Sequence, residues 1–278
     1  MTNWNKDLLT KKLLPVVDQY MLGLKDQWYN DAHKSVTNEE FIPMAEEWFK
    51  STKRNDIQGW DQFPCVDVIM GCTHFIEAFI LKYGWEGMQI LPEEYSYYGL
   101  MGKWGTEPGN LAPEKPLILS LPNWKYADLR PEWNEILREC EDKNIDIHID
   151  FAWITTSKDI QIDLNHPNIK SFAMSMSKYN LYWNRVGLRW ARQRTMDSIS
   201  MFNQYYGDVN SSITSCGAYM IENIPRDYTW DTYETRHYDI CQNLNLTPTK
   251  MIHVARLPAS NDVVGIGKLI SLGAPDQI

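Results

Sequence analysis

The sequence predicts an α/β fold built on a largely parallel sheet. Three observations carry that expectation. Short apolar runs alternate with amphipathic helical patterns between residues 60 and 180. Glycine, serine or aspartate stands at the ends of several of those runs. The chain of 278 residues, 44% of them hydrophobic, is long enough to bury a sizeable core. At roughly 150 residues per domain its length suggests about two domains.

The elements follow in order. Residues 1–35 are expected to form an N-terminal arm or helix. A helix starts at Thr37 or Asn38, with Glu39 and Glu40 in its first turn and Phe41, Met44, Ala45, Trp48 and Phe49 along one face. An apolar run, Val66 to Met70, precedes Gly71-Cys72-Thr73. A second helix carries Ile76, Phe79, Ile80 and Tyr83 and stops at Gly84. Met88–Leu91 and Pro116–Leu121 read as buried strands. Pro131 opens a helix with Trp133, Ile136, Leu137 and Cys140 on one face. Ile145, Ile147, Ile149 and Phe151 alternate with polar residues, a period-2 strand signal. Ile169–Ser175 is the last strand before a basic, aromatic-rich segment. The expected division is 36–205 for the large domain and 206–278 for a C-terminal one, with Asn210-Ser211-Ser212 as the break.

Composition excludes several classes. Aromatic residues make up 13% of the chain, with 12 Trp and 15 Tyr, which rules out intrinsic disorder. No apolar run approaches the about 18 residues of a membrane span. A net charge of −9 argues against non-specific nucleic-acid binding, which depends on Lys and Arg neutralising phosphates. The N-terminal residues show no signal-peptide pattern. Five cysteines, Cys65, Cys72, Cys140, Cys216 and Cys241, form no CxxC pair, so reduced thiols and a cytoplasmic location are expected. The six histidines show no metal-ligand spacing, and no metal is expected.

The chemistry lies at the strand ends. Gly71-Cys72-Thr73 joins a strand to a helix start, where free N–H groups and a hydroxyl suit an anion; a plain tight turn capped by Thr73 is the alternative. Asp150 ends an apolar strand, where a carboxylate needs a cation or donor. Lys178 follows Ser175-Met176-Ser177. Arg185 stands seven residues later, in Asn184-Arg185-Val186-Gly187. A hydroxyl and a guanidinium together suit a phosphate. Arg189, Arg192 and Arg194 are expected on a solvated or phosphate-side face, and His74 as a capping or packing residue.

In their order and spacing, GCTHFIEA (71–78), ILPEEYSYYG (90–99), IHIDFAW (147–153) and SMSKYNLYWNRVG (175–187) resemble the aspartate-aminotransferase-like class I/II aminotransferases. These are fold-type I enzymes dependent on pyridoxal 5′-phosphate (PLP), and the resemblance covers residues 36–195. It implies a fold type I PLP-transferase large domain, a mixed, mostly parallel sheet flanked by helices, with a reduced α+β C-terminal domain. Lys178 would form the Schiff base with the cofactor and move the substrate proton. Asp150 would pair with the pyridine nitrogen. Gly71, Cys72, Thr73, Ser175 and Arg185 would hold the phosphate, and Tyr95 would stack on the ring. Asn123 would reach the 3′-oxygen. Arg256, the one arginine after Arg236, would bind the substrate carboxylate.

The sequence departs from the family in three places. Trp153 stands where a tyrosine usually donates to the 3′-oxygen, and an indole can donate but not accept or ionise. The spacing from Lys178 to Arg185 is one residue short. Only 78 residues follow residue 200. The reaction expected is transfer of an amino group from an amino acid to a 2-oxo acid by a cytoplasmic homodimer. A PLP-dependent lyase or decarboxylase, or a non-catalytic PLP-fold binding or regulatory protein, remains as the alternative.

Overall fold

A computed structural model describes residues 9–272, apart from 32, 85, 102, 105, 182, 183 and 208. Residues 182 and 183, within the last quoted motif, and the two chain ends therefore lie outside the described residues. The helices are α1 (Gln19–Asn30), α2 (Asn38–Lys50), α3 (Gly71–Tyr83), α4 (Ser96–Met101), α5 (Trp133–Asp142), α6 (Ser198–Met201), α7 (Ser211–Asn223), α8 (Tyr228–Leu244) and α9 (Gly267–Leu272). The first six strands are β1 (Asp56–Gln58), β2 (Cys65–Ile69), β3 (Gln89–Ile90), β4 (Lys103–Trp104), β5 (Leu117–Ser120) and β6 (Ile147–Asp150). The others are β7 (Gln161–Asp163), β8 (Ile169–Ser175), β9 (Gly187–Ala191), β10 (Thr247–Pro248), β11 (Val254–Arg256) and β12 (Val263–Gly265).

Seven strands form the main sheet in the order β2-β9-β8-β6-β5-β3-β4. Only β9 runs against the rest, antiparallel to both β2 and β8. Helices cover both faces, so the central strands are buried on both sides. All four residues of β6, His148 and Asp150 included, are buried. The alternation in its sequence marks two buried polar side chains, not a wet face.

Helix α2 forms as expected, because its signals are local. Thr37 Oγ1 accepts from the Glu40 N–H and Glu40 Oε2 accepts from the Thr37 N–H, a reciprocal capping box. Its face packs Phe41, Ala45, Trp48 and Phe49 into the main core, beside Cys216, Ala218 and Met220 of α7. A second core joins Trp230, Ile240 and Leu244 of α8 to Ile252, Ala255, Ile266 and Leu269, with Val16 of the N-terminal arm. The core thus changes between Ile224 and Trp230, later than the expected break near Asn210. Asn210 instead caps α7.

The topology sets one edge of the main sheet apart. Strands β2, β5, β6 and β8 end there and β9 begins there, so Gly71, Ser120, Asp150, Ser175 and Gly187 gather at one side. In open α/β sheets this carboxyl-end crevice is where ligands bind.

Candidate active site

Asp150 is a buried charged group at that edge, 3% exposed. One carboxylate oxygen accepts from the Tyr98 hydroxyl at 2.8 Å and the other from the Ala152 N–H at 2.9 Å. Burial raises its pKa against the opposing help of Tyr98, Cys72, the Ala152 N–H and the Lys178 charge. No ion pair to Asp150 exists among the described residues. Tyr98, itself fully buried, was not singled out from the sequence, which offers three tyrosines in four positions.

Lys178 sits in the turn Ser177–Leu181, where Asn180 takes a left-handed backbone, φ 60°. That turn is held from two sides. Asn180 Oδ1 accepts from the Asp18 N–H at 3.2 Å, and its amide donates to Val16 O. The Tyr179 hydroxyl donates to the carbonyls of Thr155 and Arg226. The lysine Nζ lies 3.8 Å from the centre of the Trp153 ring. Burial lowers the Lys178 pKa, with Cys72 and Asp150 pulling the other way and Arg185 adding to the fall. Trp153 in turn stacks on His253, ring centres 4.1 Å apart. His253 is fully buried, and neither ring nitrogen has a hydrogen-bond partner among the described residues.

Gly71, Thr73, Ser175 and Arg185 are brought together. Gly71 has φ +73°, and a Cβ there would stand 3.1 Å from the Arg185 Cβ and 3.7 Å from Ser175 Oγ. Glycine therefore lets the start of α3 approach both residues. Arg185 Nη1 donates to Thr73 Oγ1 at 3.3 Å, and Ser175 Oγ donates to Ser177 Oγ at 2.8 Å. Thr73 is not the helix cap: α3 starts at Gly71, and His74 Nδ1 accepts from the Met70 N–H at 3.3 Å. The Cys72 thiol is buried beside Asp150, and burial pushes its pKa up, with the Asp150 charge second. It serves as a neutral neighbour and not as a thiolate.

Other expected positions are occupied differently. Asn123 is buried, but its amide donates to Glu93 O and Glu94 Oε1, and its Oδ1 accepts from the Lys125 N–H. These bonds tie its loop to the Glu93–Glu94 segment that follows β3. The structure does not join Arg256 to the Asp150–Lys178 group. Its guanidinium donates to the carbonyls of Asn261 and Tyr126, so it braces loops around β11. Arg189 is not solvated: it is 3% exposed and pairs with Asp67 and Asp197. Arg192 donates to the carbonyls of Ile169, Leu164, Asn165 and His166. Tyr95 stands at the mouth, 48% exposed, edge-on to Tyr98 at 5.8 Å.

Glu94 went unnoticed in the sequence and organises this rim. Its carboxylate receives Ser120, Asn123 and the Arg130 guanidinium, and burial raises its pKa to about 7.

No protein-family model matches the chain, and no curated protein matches it. Solved structures do match. The PLP-bound C-S lyase from Staphylococcus hominis aligns with 89% of this chain and 75% of its own, at 12% identity and a TM-score of 0.59. A tetra mutant of Thermus thermophilus aspartate aminotransferase, complexed with tryptophan, aligns with 87% of this chain and 74% of its own at 12% identity, TM-score 0.61. The aromatic aminotransferase from Pyrococcus horikoshii aligns with 91% and 80% at 13% identity, TM-score 0.61. The chain shares their fold.

Proposed function

For a chain with the fold of the aspartate-aminotransferase-like fold-type I enzymes, we propose a PLP-dependent aminotransferase, acting as a homodimer, with Lys178 as its reactive amine. Its substrates are an amino acid and a 2-oxo acid. The observation that carries this reading is the meeting at one sheet edge of a buried carboxylate and a partly buried lysine. Asp150 lacks an ion-pair partner among the described residues, and Lys178 has its pKa lowered by burial.

These residues fit the cofactor. A protonated ring nitrogen would give Asp150 the positive partner that its burial calls for. A hydroxyl from Ser175, a hydroxyl from Thr73 and the Arg185 guanidinium surround the glycine-floored start of α3, as a phosphate requires. The cofactor, when bound, supplies an aldehyde for the substrate nitrogen and a ring that accepts electrons.

This chain's residues do the rest. A lysine with a lowered pKa holds a larger neutral fraction near neutrality than an exposed one, which suits it to attack a carbonyl and then to carry a proton. Asp150, fixed by Tyr98 and Ala152, holds positive charge on the ring nitrogen. Trp153 walls the amine on one side and offers no proton to remove.

Borohydride reduction of the protein with PLP, followed by peptide mapping, is expected to place a phosphopyridoxyl group on Lys178. A tag on another lysine, or none, overturns the assignment. Glutamate formed from 2-oxoglutarate during an amino-acid panel reports transfer. Ammonia released without it would mean elimination chemistry instead.

A further inference from the structure

A second cavity, of about 220 Å3, lies at the opposite end of the sheet. The C-terminal part of α3 forms one wall, with Phe79, Lys82 and Tyr83. Sheet residues His148, Ser171 and Arg189 form the other. His148 and Ser171 sit near the starts of β6 and β8, the strands whose far ends carry Asp150 and Ser175.

Charge and unmet polarity both point to an anion here. The lining holds four cations, Lys82, Lys170, Arg189 and Arg192, against two carboxylates, Asp146 and Asp197. That local net of +2 stands in a chain of net charge −9. Arg189 already pairs with Asp197 and Asp67, and Arg192 with backbone carbonyls. Lys82 Nζ lies 4.7 Å from the centre of the Tyr83 ring and Lys170 Nζ donates to Pro167 O at 2.9 Å, so each ammonium keeps N–H donors that a ligand carboxylate can share. Lys82 has no ion pair among the described residues, and Lys170 shares Asp146 at 3.6 Å.

Two buried polar atoms of the wall residues have no hydrogen-bond partner among the described residues: His148 Nε2 and Arg189 Nε. His148 is 6% exposed, with Nδ1 2.8 Å from Ser171 Oγ. Burial, then the Lys82 and Arg189 charges, lowers its pKa to about 3, so it stays neutral.

The wall is also aromatic. Phe79 lies 4.1 Å from the His148 ring, and Phe79 and Tyr83 stack within 11° of parallel at 6.2 Å. We infer that this cavity binds a small planar aromatic carboxylate, its ring against Phe79 and Tyr83 and its carboxylate between Lys82 and Lys170. The inference is independent of the chemistry at Lys178.

Benzoate is the probe, titrated by calorimetry at low salt into the protein saturated with PLP. The expected result is saturable binding of one benzoate per chain, unchanged in Lys178→Ala. Removing both lysine charges in Lys82→Gln/Lys170→Gln is expected to weaken it about tenfold or more, since charged hydrogen bonds are the strong ones. Tyr83→Leu should weaken it too, and cyclohexanecarboxylate should bind less tightly than benzoate. Loss of binding in Lys178→Ala would place benzoate at the other site and overturn the inference. Unsaturable uptake, or equal affinity in the double-lysine variant, would do the same. Equal affinity for cyclohexanecarboxylate would overturn the aromatic class.

Discussion

At the scale of single residues, the site turns on how a buried carboxylate is kept charged. Asp150 has an elevated pKa because burial outweighs its hydrogen bonds, and the Tyr98 hydroxyl is the foremost of those bonds. Its charged form is present above that pKa and lost below it. Tyr98→Phe removes a donor that favours the charged form, so the pKa should rise further. The acid limb of the pH–rate profile for amino transfer is then expected to move to higher pH, with the alkaline limb in place. An acid limb that stays put would separate Tyr98 from the titrating group. Asp150→Asn should fold normally and slow the proton-transfer step by roughly 100-fold or more, the scale of a lost acid–base partner; near wild-type turnover would remove Asp150 from the chemistry. Asp150 and Lys178 stood out in the sequence only through the order and spacing they share with Gly71-Cys72-Thr73 and Arg185, since either charge alone reads as an ordinary loop or surface residue. Tyr98 did not, since nothing local distinguishes it from Tyr95 and Tyr97. Glu94 and His253 were missed for the same reason. Their roles exist only once the chain has brought Ser120 and Arg130, or Trp153, against them.

At the scale of elements, what the sequence revealed was whatever is stabilised locally. Thr37 and Glu40 lie three residues apart and cap α2 by themselves, so that helix could be read directly. Strand β9 could not. Its Gly-Leu-Arg-Trp-Ala sequence carries a charge at a fully buried position, and that charge is tolerable only because Asp67 on β2 and Asp197 before α6 meet it. The same strand sets the spacing of the cradle. Gly187 pairs with Ser175, and a Cβ at 187 would stand 2.1 Å from Met174 O and 2.8 Å from the Ser175 Cα. Gly187→Ala must therefore push β8 and β9 apart at the point where Ser175 and Arg185 face the anion. Overpacking of this kind costs about 1–3 kcal/mol. A lower urea midpoint and weaker retention of PLP are both expected from denaturation and dialysis measurements. Unaltered stability would mean that the two strands are not held in this register.

At the scale of the whole molecule, the described residues include several exposed aromatic side chains near the start of α3. Phe202 is 41% exposed, Tyr205 68% and Tyr206 73%. They continue a line of contacts from the start of α3: Met70 donates its N–H to His74, His74 lies edge-on to Phe202, and Phe202 lies 5.7 Å from Tyr206. Met70 is itself 41% exposed. Apolar surface grouped in this way is characteristic of an interface, and aromatic residues and methionine are enriched at interface cores. No described helix is long and apolar enough to cross a membrane. A second copy of this chain is the occupant the homodimer proposal requires, and it would close the anion cradle from the solvent side. Light scattering is expected to give twice the chain mass at micromolar concentration. Phe202→Glu with Tyr206→Glu would place charge in the centre of that contact, where an unpaired buried carboxylate is strongly disfavoured. The double variant should run as a monomer and lose PLP more readily on dialysis, with its helix content unchanged by circular dichroism. A wild-type monomer, or a double variant that remains dimeric, would move the interface to another face.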